Sequence, residues 1–280
     1  MAFNVPKAPR IKTNFKDVLL HRYLKRPYLL HINDHGSDND SRPVIIMLHG
    51  LASSSANWDP LLPLLKQSYH CITVDLLGFG GSPRPQWYGY TIEDHIRSIH
   101  ATIRRLRLKS PYILMGHSLG SLLATRYARD NNRQVSRLLL LSPPVYTGTI
   151  DSKRARQRTS MYLRAYRFLR THKRVTYDNF LRMSRILPLA KFLVLDAASW
   201  RPFMRSLEQC VENQTLVADI KQVKAPVEVF FGVFDEVVVP YNVRQLAKIR
   251  DVRLYPLKVN HMVGKRYAAA VAHVLNSPSA

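Results

Sequence analysis

The chain of 280 residues contains only two cysteines, Cys71 and Cys210. They are too few for a disulfide framework, and neither has the spacing of a metal-ligand pair. Cys71 opens an apolar stretch and Cys210 lies in a helix-like one, so both are read as packed thiols. No apolar run reaches the roughly 18 residues that a membrane-spanning helix requires. The opening "MAFNVPKAPRIKTNFKD" carries basic residues with no apolar region behind them, unlike a secretory leader, so a cytoplasmic location is expected. Acidic residues are scarce as well: 19 Asp+Glu face 42 Lys+Arg, a formal net charge of +23. Such a surplus can favour nucleic acid, an anionic membrane surface or acidic substrates. It comes without a helix-turn-helix signature, zinc-finger spacing or an aromatic ribonucleoprotein motif, so no nucleic-acid partner is expected and the charge is read as a solvated basic surface.

What is present is a hydrophobic content of 46%, ample for a buried core. Strand-like and helix-like segments alternate. "KDVLLHRYL" and "RPYLLHI" read as two adjacent strands before the turn-rich "NDHGSDNDSR". "PVIIMLHG" is a continuous apolar run of the kind buried on both faces of a parallel sheet. "DPLLPLLKQ" reads as a short helix and "HCITVDL" as a strand. "TIEDHIRSIHATIRRLRL" reads as an amphipathic helix with Ile92, Ile96, Ile99 and Ile103 on one stripe. "VSRLLLLSPP", "APVEVFFG" and "VRLYPL" supply later strands. Strands separated by helices imply an α/β fold with a mostly parallel sheet and right-handed crossovers. Between about Val145 and Arg205 the pattern turns helical, and "DSKRARQRTSMYLRAYRFLRTHKR" sets nine Lys or Arg against the single Asp151. A helical insertion over the strand ends most simply makes a cap, and "RVTYDNFLRMSRILPLAKFLVL" continues it. The expected organisation is a core of residues 1–144, a cap of 145–205 and a second core part of 206–280.

One short stretch carries chemistry. In "YILMGHSLGSLLATRYA" an apolar strand runs through Gly116-His117-Ser118-Leu119-Gly120 into a helix. A turn of the form Gly-x-Ser-x-Gly between strand and helix lifts the serine Oγ above the sheet, at the cost of a strained backbone. A serine hydroxyl is a poor nucleophile until a base, an orienting acid and oxyanion donors surround it. In the chain order Ser, acid, His, the acid follows a late strand and the histidine follows the last one. Asp235 in "VEVFFGVFDEVVVP" and His261 in "VRLYPLKVNHMVG" fall at those places. The adjacent Glu236 is the alternative carboxylate, and "SPPVYTG" after the preceding strand offers none. His117 is assigned a packing or hydrogen-bonding role, and most of the eleven histidines, among them His95, His100, His172 and His273, are read as surface or helix residues. The oxyanion donors are expected to be the amides of Leu119 and of Leu51, the latter freed by the His49-Gly50 turn. Pocket walls are expected from His49, Gly50, Trp58 and Tyr146.

With these motifs the chain resembles the serine-dependent α/β hydrolases that carry a lid: "HGLASSSANW", "DLLGFGGSPRP", "GHSLGS", "FGVFDEVV" and "NHMVG" occur in the family's order. The resemblance implies an eight-stranded, mostly parallel sheet, a helical cap after the sixth strand, and cleavage of esters or related acyl bonds through an acyl-enzyme, with no cofactor or metal. It implies a structural turn at Asp75. Departures narrow the chemistry. The elbow holds serine where haloalkane dehalogenases and epoxide hydrolases carry aspartate, Met262 stands where carbon–carbon bond hydrolases usually have tryptophan, and Ser121 replaces the second glycine of many monoacylglycerol lipases. The expected partner is a small-molecule ester, to which a basic cap would suit an anionic group. Acyl transfer or carbon–carbon bond hydrolysis by the same triad remains open, as does a non-catalytic protein that binds an anionic ligand.

Overall fold

Along the central strands, successive side chains enter two different hydrophobic layers, which is why these strands are apolar from end to end. A computed structural model describes residues 15–37, 41–148, 150–172, 177–179 and 193–277. Among them the sheet has seven strands: β1 Ile32–Asp34, β2 Val44–Leu48, β3 His70–Val74, β4 Tyr112–His117, β5 Val135–Leu141, β6 Val227–Gly232 and β7 Val252–Leu257. Their order is β1-β3-β2-β4-β5-β6-β7, with β1 antiparallel to β3 and every other pair parallel. Ile46, Leu48, Leu114, Leu138 and Leu140 join one layer with Phe231, under the helices α1 (Ile92–Leu106) and α2 (Leu119–Asp130). Their neighbours Ile45, Met47, Ile113, Met115, Leu139 and Leu141 face the other way, against Tyr267, Val271 and Leu275 of the C-terminal helix Lys265–Asn276.

Helix α1 bears out its predicted stripe, with Ile92, Ile99 and Ile103 buried and Ile96 partly so. It starts at a reciprocal cap: Thr91 Oγ1 accepts from the Asp94 amide, and Asp94 Oδ2 accepts from the Thr91 amide. It stops where Arg107 adopts a left-handed φ of 51°.

The expected eight strands are corrected to seven among the described residues. "KDVLLHRYL" is helical over Phe15–Tyr23 and buries none of those residues, so no neighbouring strand or core overrides the helix-forming preference of Leu, Lys and Arg. In "RPYLLHI" only Ile32 enters β1. The amides of Leu30 and His31 donate instead to Thr102 Oγ1 (2.9 Å) and Ser82 Oγ (2.8 Å), so side chains take the place of a partner strand.

Between β5 and β6 lie α3 (Lys153–Thr171), whose first turn is capped by Ser152, and α4 (Trp200–Ser206). Residues 173–176 and 180–192, the bulk of the expected continuation of the cap, lie outside the described residues. Both cysteines are free and buried. Among the described residues no helix is long and apolar enough to cross a membrane.

Because the reciprocal cap satisfies amides at the start of α1, Thr91→Ala should lower the unfolding free energy by about 1 kcal/mol, read from urea denaturation.

Candidate functional site

Parallel strands deliver the loops that follow them to one edge of the sheet, and the sequence places its chemistry-bearing residues in those loops. Ser118 follows β4 and carries φ 52° and ψ −117°, a conformation that non-glycine residues keep only where the surroundings impose it. The surroundings are backbone. A Cβ on Gly116 would collide with the Gly120 carbonyl, and one on Gly120 with the carbonyls of Leu48 and His49 at the end of β2. Only glycine lets the three segments approach this closely.

The turn after β2 lies directly over the elbow. A Cβ on Gly50 would stand 3.1 Å from both the Ser118 Cβ and His117 Nδ1. Leu51 follows, and Leu119 opens α2, where a first-turn amide has no acceptor within its own helix. Ala52, next along, has a left-handed φ of 52°. The turn is braced from below: the Leu76 amide donates to His49 Nε2 (2.9 Å), so the ring carries its proton on Nδ1 and donates it to the Gly50 carbonyl (2.7 Å).

Asp235 comes three residues after the last residue of β6, and His261 four after that of β7. A Cβ on Gly232 would strike the Val259 and Asn260 carbonyls, so the two loops lie against each other. His261 Nδ1 lies 2.8 Å from Asp235 Oδ2, and Asp235 Oδ1 accepts the amides of Val237 and Val238, each at 2.8 Å. Burial works to raise the Asp235 carboxyl. The hydrogen bond and charge of His261 and the two amides outweigh it, so the carboxyl sits below its ordinary range. With Nδ1–H given to the carboxylate, His261 Nε2 is left as a proton acceptor. Asp235, rather than Glu236, is the carboxylate that meets the imidazole. His117 Nε2 donates to the His261 carbonyl (2.9 Å) and its ring centroid is 4.9 Å from that of His261, which ties the histidine loop to the elbow.

The structure thus gathers Ser118, Gly50, Leu51, Leu119, Asp235 and His261 at one edge, and it buries the three other expected wall residues. Trp58 is fully buried in the layer that holds Met47 and Leu61, where a side chain of that size gains most. His49 is fully buried too, its ring nitrogens spent on backbone. Tyr146 is buried, with its hydroxyl on the Val237 carbonyl. Asp75 is a hub: Oδ1 accepts Ser55 N and Oγ (both 2.7 Å) and Oδ2 accepts Gly81 N (2.7 Å). The sequence reading missed Arg158 and Tyr162, which touch the acid loop from α3; their i, i+4 spacing was the available signal, submerged among nine cations. His95, expected only as one of the surface or helix histidines, is fully buried, with Nε2 3.1 Å from Ser206 Oγ. Among the described residues no group of three or more His, Cys, Asp or Glu could hold a metal ion.

Burial lowers His49 and His95 to about 4 and His117 to about 3. In the unfolded chain each titrates near 6.5. Below that pH the unfolded state binds protons that the native state refuses, so stability falls as pH drops from about 6.5 toward 4, by about 1.4 kcal/mol per unit for each histidine. Urea denaturation at steps from pH 7.5 to 5 should show this loss, with a shallower slope in His95→Gln.

Residues 43–255 match the family model described as the alpha/beta hydrolase fold. Among curated proteins, a probable lysophospholipase, BODYGUARD 1 of Arabidopsis thaliana, is 37% identical over 117 residues, 40% of this chain and 25% of that protein. The monoacylglycerol lipase abhd6-B of Xenopus laevis is 30% identical over 118 residues, 42% of this chain and 35% of that protein. A haloalkane dehalogenase of Bradyrhizobium diazoefficiens is 40% identical over 86 residues, 31% of this chain and 27% of that protein. These matches therefore span only a quarter to about a third of the relatives' lengths. Among solved structures, an enol-lactonase from Burkholderia xenovorans LB400 superposes with a TM-score of 0.68 at 19% identity, over 88% of this chain and 94% of its own. An esterase from Exiguobacterium antarcticum gives 0.67 at 21%, over 88% and 93%. With its model matched from β2 into β7, the chain belongs to the α/β hydrolase family.

Proposed function

We propose that the chain is a serine hydrolase that cleaves carboxylic esters, lipid-like ones in particular, through Ser118, His261 and Asp235. The observation that carries this reading is the buried Asp235–His261 hydrogen bond of 2.8 Å, in a loop that His117 ties to the turn of the strained Ser118. His261 Nε2 takes the proton of Ser118 Oγ as that oxygen attacks the ester carbonyl. The carbonyl oxygen, now negative, is received by the amides of Leu51 and Leu119. The tetrahedral adduct collapses, His261 returns the proton to the departing alcohol, and the acyl group remains on Ser118. Water then attacks the acyl-enzyme with His261 again as base, releasing the acid and restoring the serine. Asp235 stays ionised and holds the imidazole with its proton on Nδ1.

A serine at the elbow favours this chemistry over the alkyl-ester route expected of a dehalogenase, where the nucleophile is an aspartate. The names of the lysophospholipase and lipase relatives support a lipid-like ester. The helical segment between β5 and β6 is read as a cap. Lys153, Arg156, Arg164 and Arg167 line a surface cleft of about 640 Å³ along α3 that none of Ser118, Asp235 and His261 lines, so an anionic group on the substrate would be favoured by the long-range field of these cations. The expected cytoplasmic location remains a proposal.

A fluorophosphonate probe should label the wild type and not Ser118→Ala. Ester turnover should fall by roughly 10⁶-fold in Ser118→Ala or His261→Ala and by roughly 10⁴-fold in Asp235→Asn. Product analysis separates hydrolysis from acyl transfer and from carbon–carbon cleavage. An ester bearing a phosphate should be turned over faster than a neutral monoacylglycerol of equal chain length, and that preference should shrink at about 0.5 M salt, where exposed charges are screened. The same loss is expected in a triple Arg156, Arg164, Arg167 to Gln variant.

A further inference from the structure

The hydrolase mechanism gives α3 no task beyond covering the site, yet this helix and the stretch leading to it hold the loop that bears the acid. Arg158 Nη2 donates to the Asp235 carbonyl (2.8 Å), Tyr162 Oη to the Glu236 carbonyl (2.6 Å) and Tyr146 Oη to the Val237 carbonyl (2.7 Å). Three consecutive carbonyls are thus taken by three side chains from one direction, while the amides of Val237 and Val238 hold the Asp235 carboxylate.

The donors brace one another. Arg158 Nε donates to Tyr162 Oη (2.8 Å), one turn along the same helix. Tyr146 spends its hydroxyl hydrogen on Val237, so in the 3.1 Å contact between the two phenols Tyr166 is the donor. Burial, with a smaller contribution from Tyr166, holds the Tyr146 phenol well above its ordinary pKa, and it remains a donor across neutral pH. At the base of the arrangement, Asn242 Nδ2 joins the Val145 carbonyl (2.7 Å) to Thr159 Oγ1 of α3 (3.0 Å).

The His261 side of the loop is held by backbone, with the Val233 amide donating to the Leu257 carbonyl (2.8 Å) and the Phe234 amide to the Val259 carbonyl (3.2 Å), whereas Phe234 (66% exposed) and Glu236 leave its outer side to solvent and to the α3 donors. The direction of the Asp235 carboxylate follows from the backbone that carries it, because the groups that orient it are amides two and three residues further on. Whatever seats that backbone therefore seats the acid.

We propose that Arg158 and Tyr162 are positioning residues that latch α3 to the Asp235 loop, so that the acid is aligned for His261 only while α3 is seated. The proposal rests on the serine-hydrolase reading. Movement of α3 to admit a substrate withdraws both donors and loosens the acid, and reseating restores them, which links closure over the substrate to assembly of the triad. The loss lies in turnover rather than in substrate binding, since neither residue touches the reacting atoms.

The test compares wild type with Arg158→Met/Tyr162→Phe, Arg158→Lys and, as a control, Arg154→Met, an exposed cation of the same helix. Two readouts are taken: amide hydrogen exchange of the peptide spanning residues 233–239, which needs no chemistry, and steady-state ester kinetics with fluorophosphonate labelling. The expected result is faster exchange in the double variant, kcat lowered roughly 10- to 100-fold with KM little changed, and partial recovery in Arg158→Lys, which keeps a donor for the Asp235 carbonyl. Arg154→Met should behave as wild type. Unchanged exchange in the double variant overturns the latch, whatever the kinetics. Faster exchange with unaltered kcat overturns it as a positioning device. A wild type that takes no label, together with a fast-exchanging double variant, removes the hydrolase reading and supports the mechanical latch alone.

Discussion

Everything at the site depends on one backbone crossing, that of the first turn of α2 over the end of β2. Gly120 lies so near the Leu48 and His49 carbonyls, and Gly116 so near the Gly120 carbonyl, that no side-chain carbon fits at either place. That contact forces the chain to turn within one residue, and Ser118 takes the positive φ that results. It also sets the amide-bearing start of α2 beside the Gly50-Leu51 turn. A wider crossing would let the serine relax and would separate the two amides that the proposed mechanism uses together.

A crossing this tight has to be supported, and the support comes from buried polar groups rather than from more apolar packing. His49 is bonded at both ring nitrogens, to the Leu76 amide and the Gly50 carbonyl, and it stays neutral because burial lowers its pKa to about 4. Asp75, at the end of β3, takes the amide and hydroxyl of Ser55 and the amide of Gly81. Each bond answers a desolvation cost that would otherwise fall on the loop. Asp75 therefore belongs to the frame of the Gly50-Leu51 turn, although it is a buried carboxylate within reach of a histidine, an arrangement that could be mistaken for catalytic machinery.

The sheet, the elbow and the Asp235–His261 pairing were legible because their signals are local. Period and apolarity identify a buried strand, two glycines four residues apart identify the elbow, and the position of a residue after a strand identifies the edge it will occupy. The first predicted strand failed because its local pattern was ambiguous and only packing could decide it. No residue of Phe15–Tyr23 is buried, so the helix prevails. Trp58 shows the opposite case: its place near the Gly50 turn was legible in the sequence, while its depth in the core follows from its size and is visible only in the packing. Arg158 and Tyr162 could not be distinguished by sequence because their acceptors are main-chain carbonyls more than seventy residues away, and a carbonyl leaves no mark in the residue types.

The arginines of α3 and its surroundings divide by their acceptors, and this division gives the net charge of +23 its structural meaning. Arg158 turns inward onto a carbonyl of the acid loop, and Arg170 turns inward onto Glu208 (2.9 Å) and Glu212 (3.4 Å). Lys153, Arg156, Arg164 and Arg167 face solvent. A guanidinium leaves water only where oxygen atoms replace its hydration, and carbonyls serve as well as carboxylates. Arg170 finds acids, whereas Arg158 spends its donors on the Tyr162 hydroxyl and on backbone, and that backbone is the loop that holds Asp235. Among the described residues, one face of α3 thus presents cations to solvent while Arg158 couples the helix to the loop of the candidate triad.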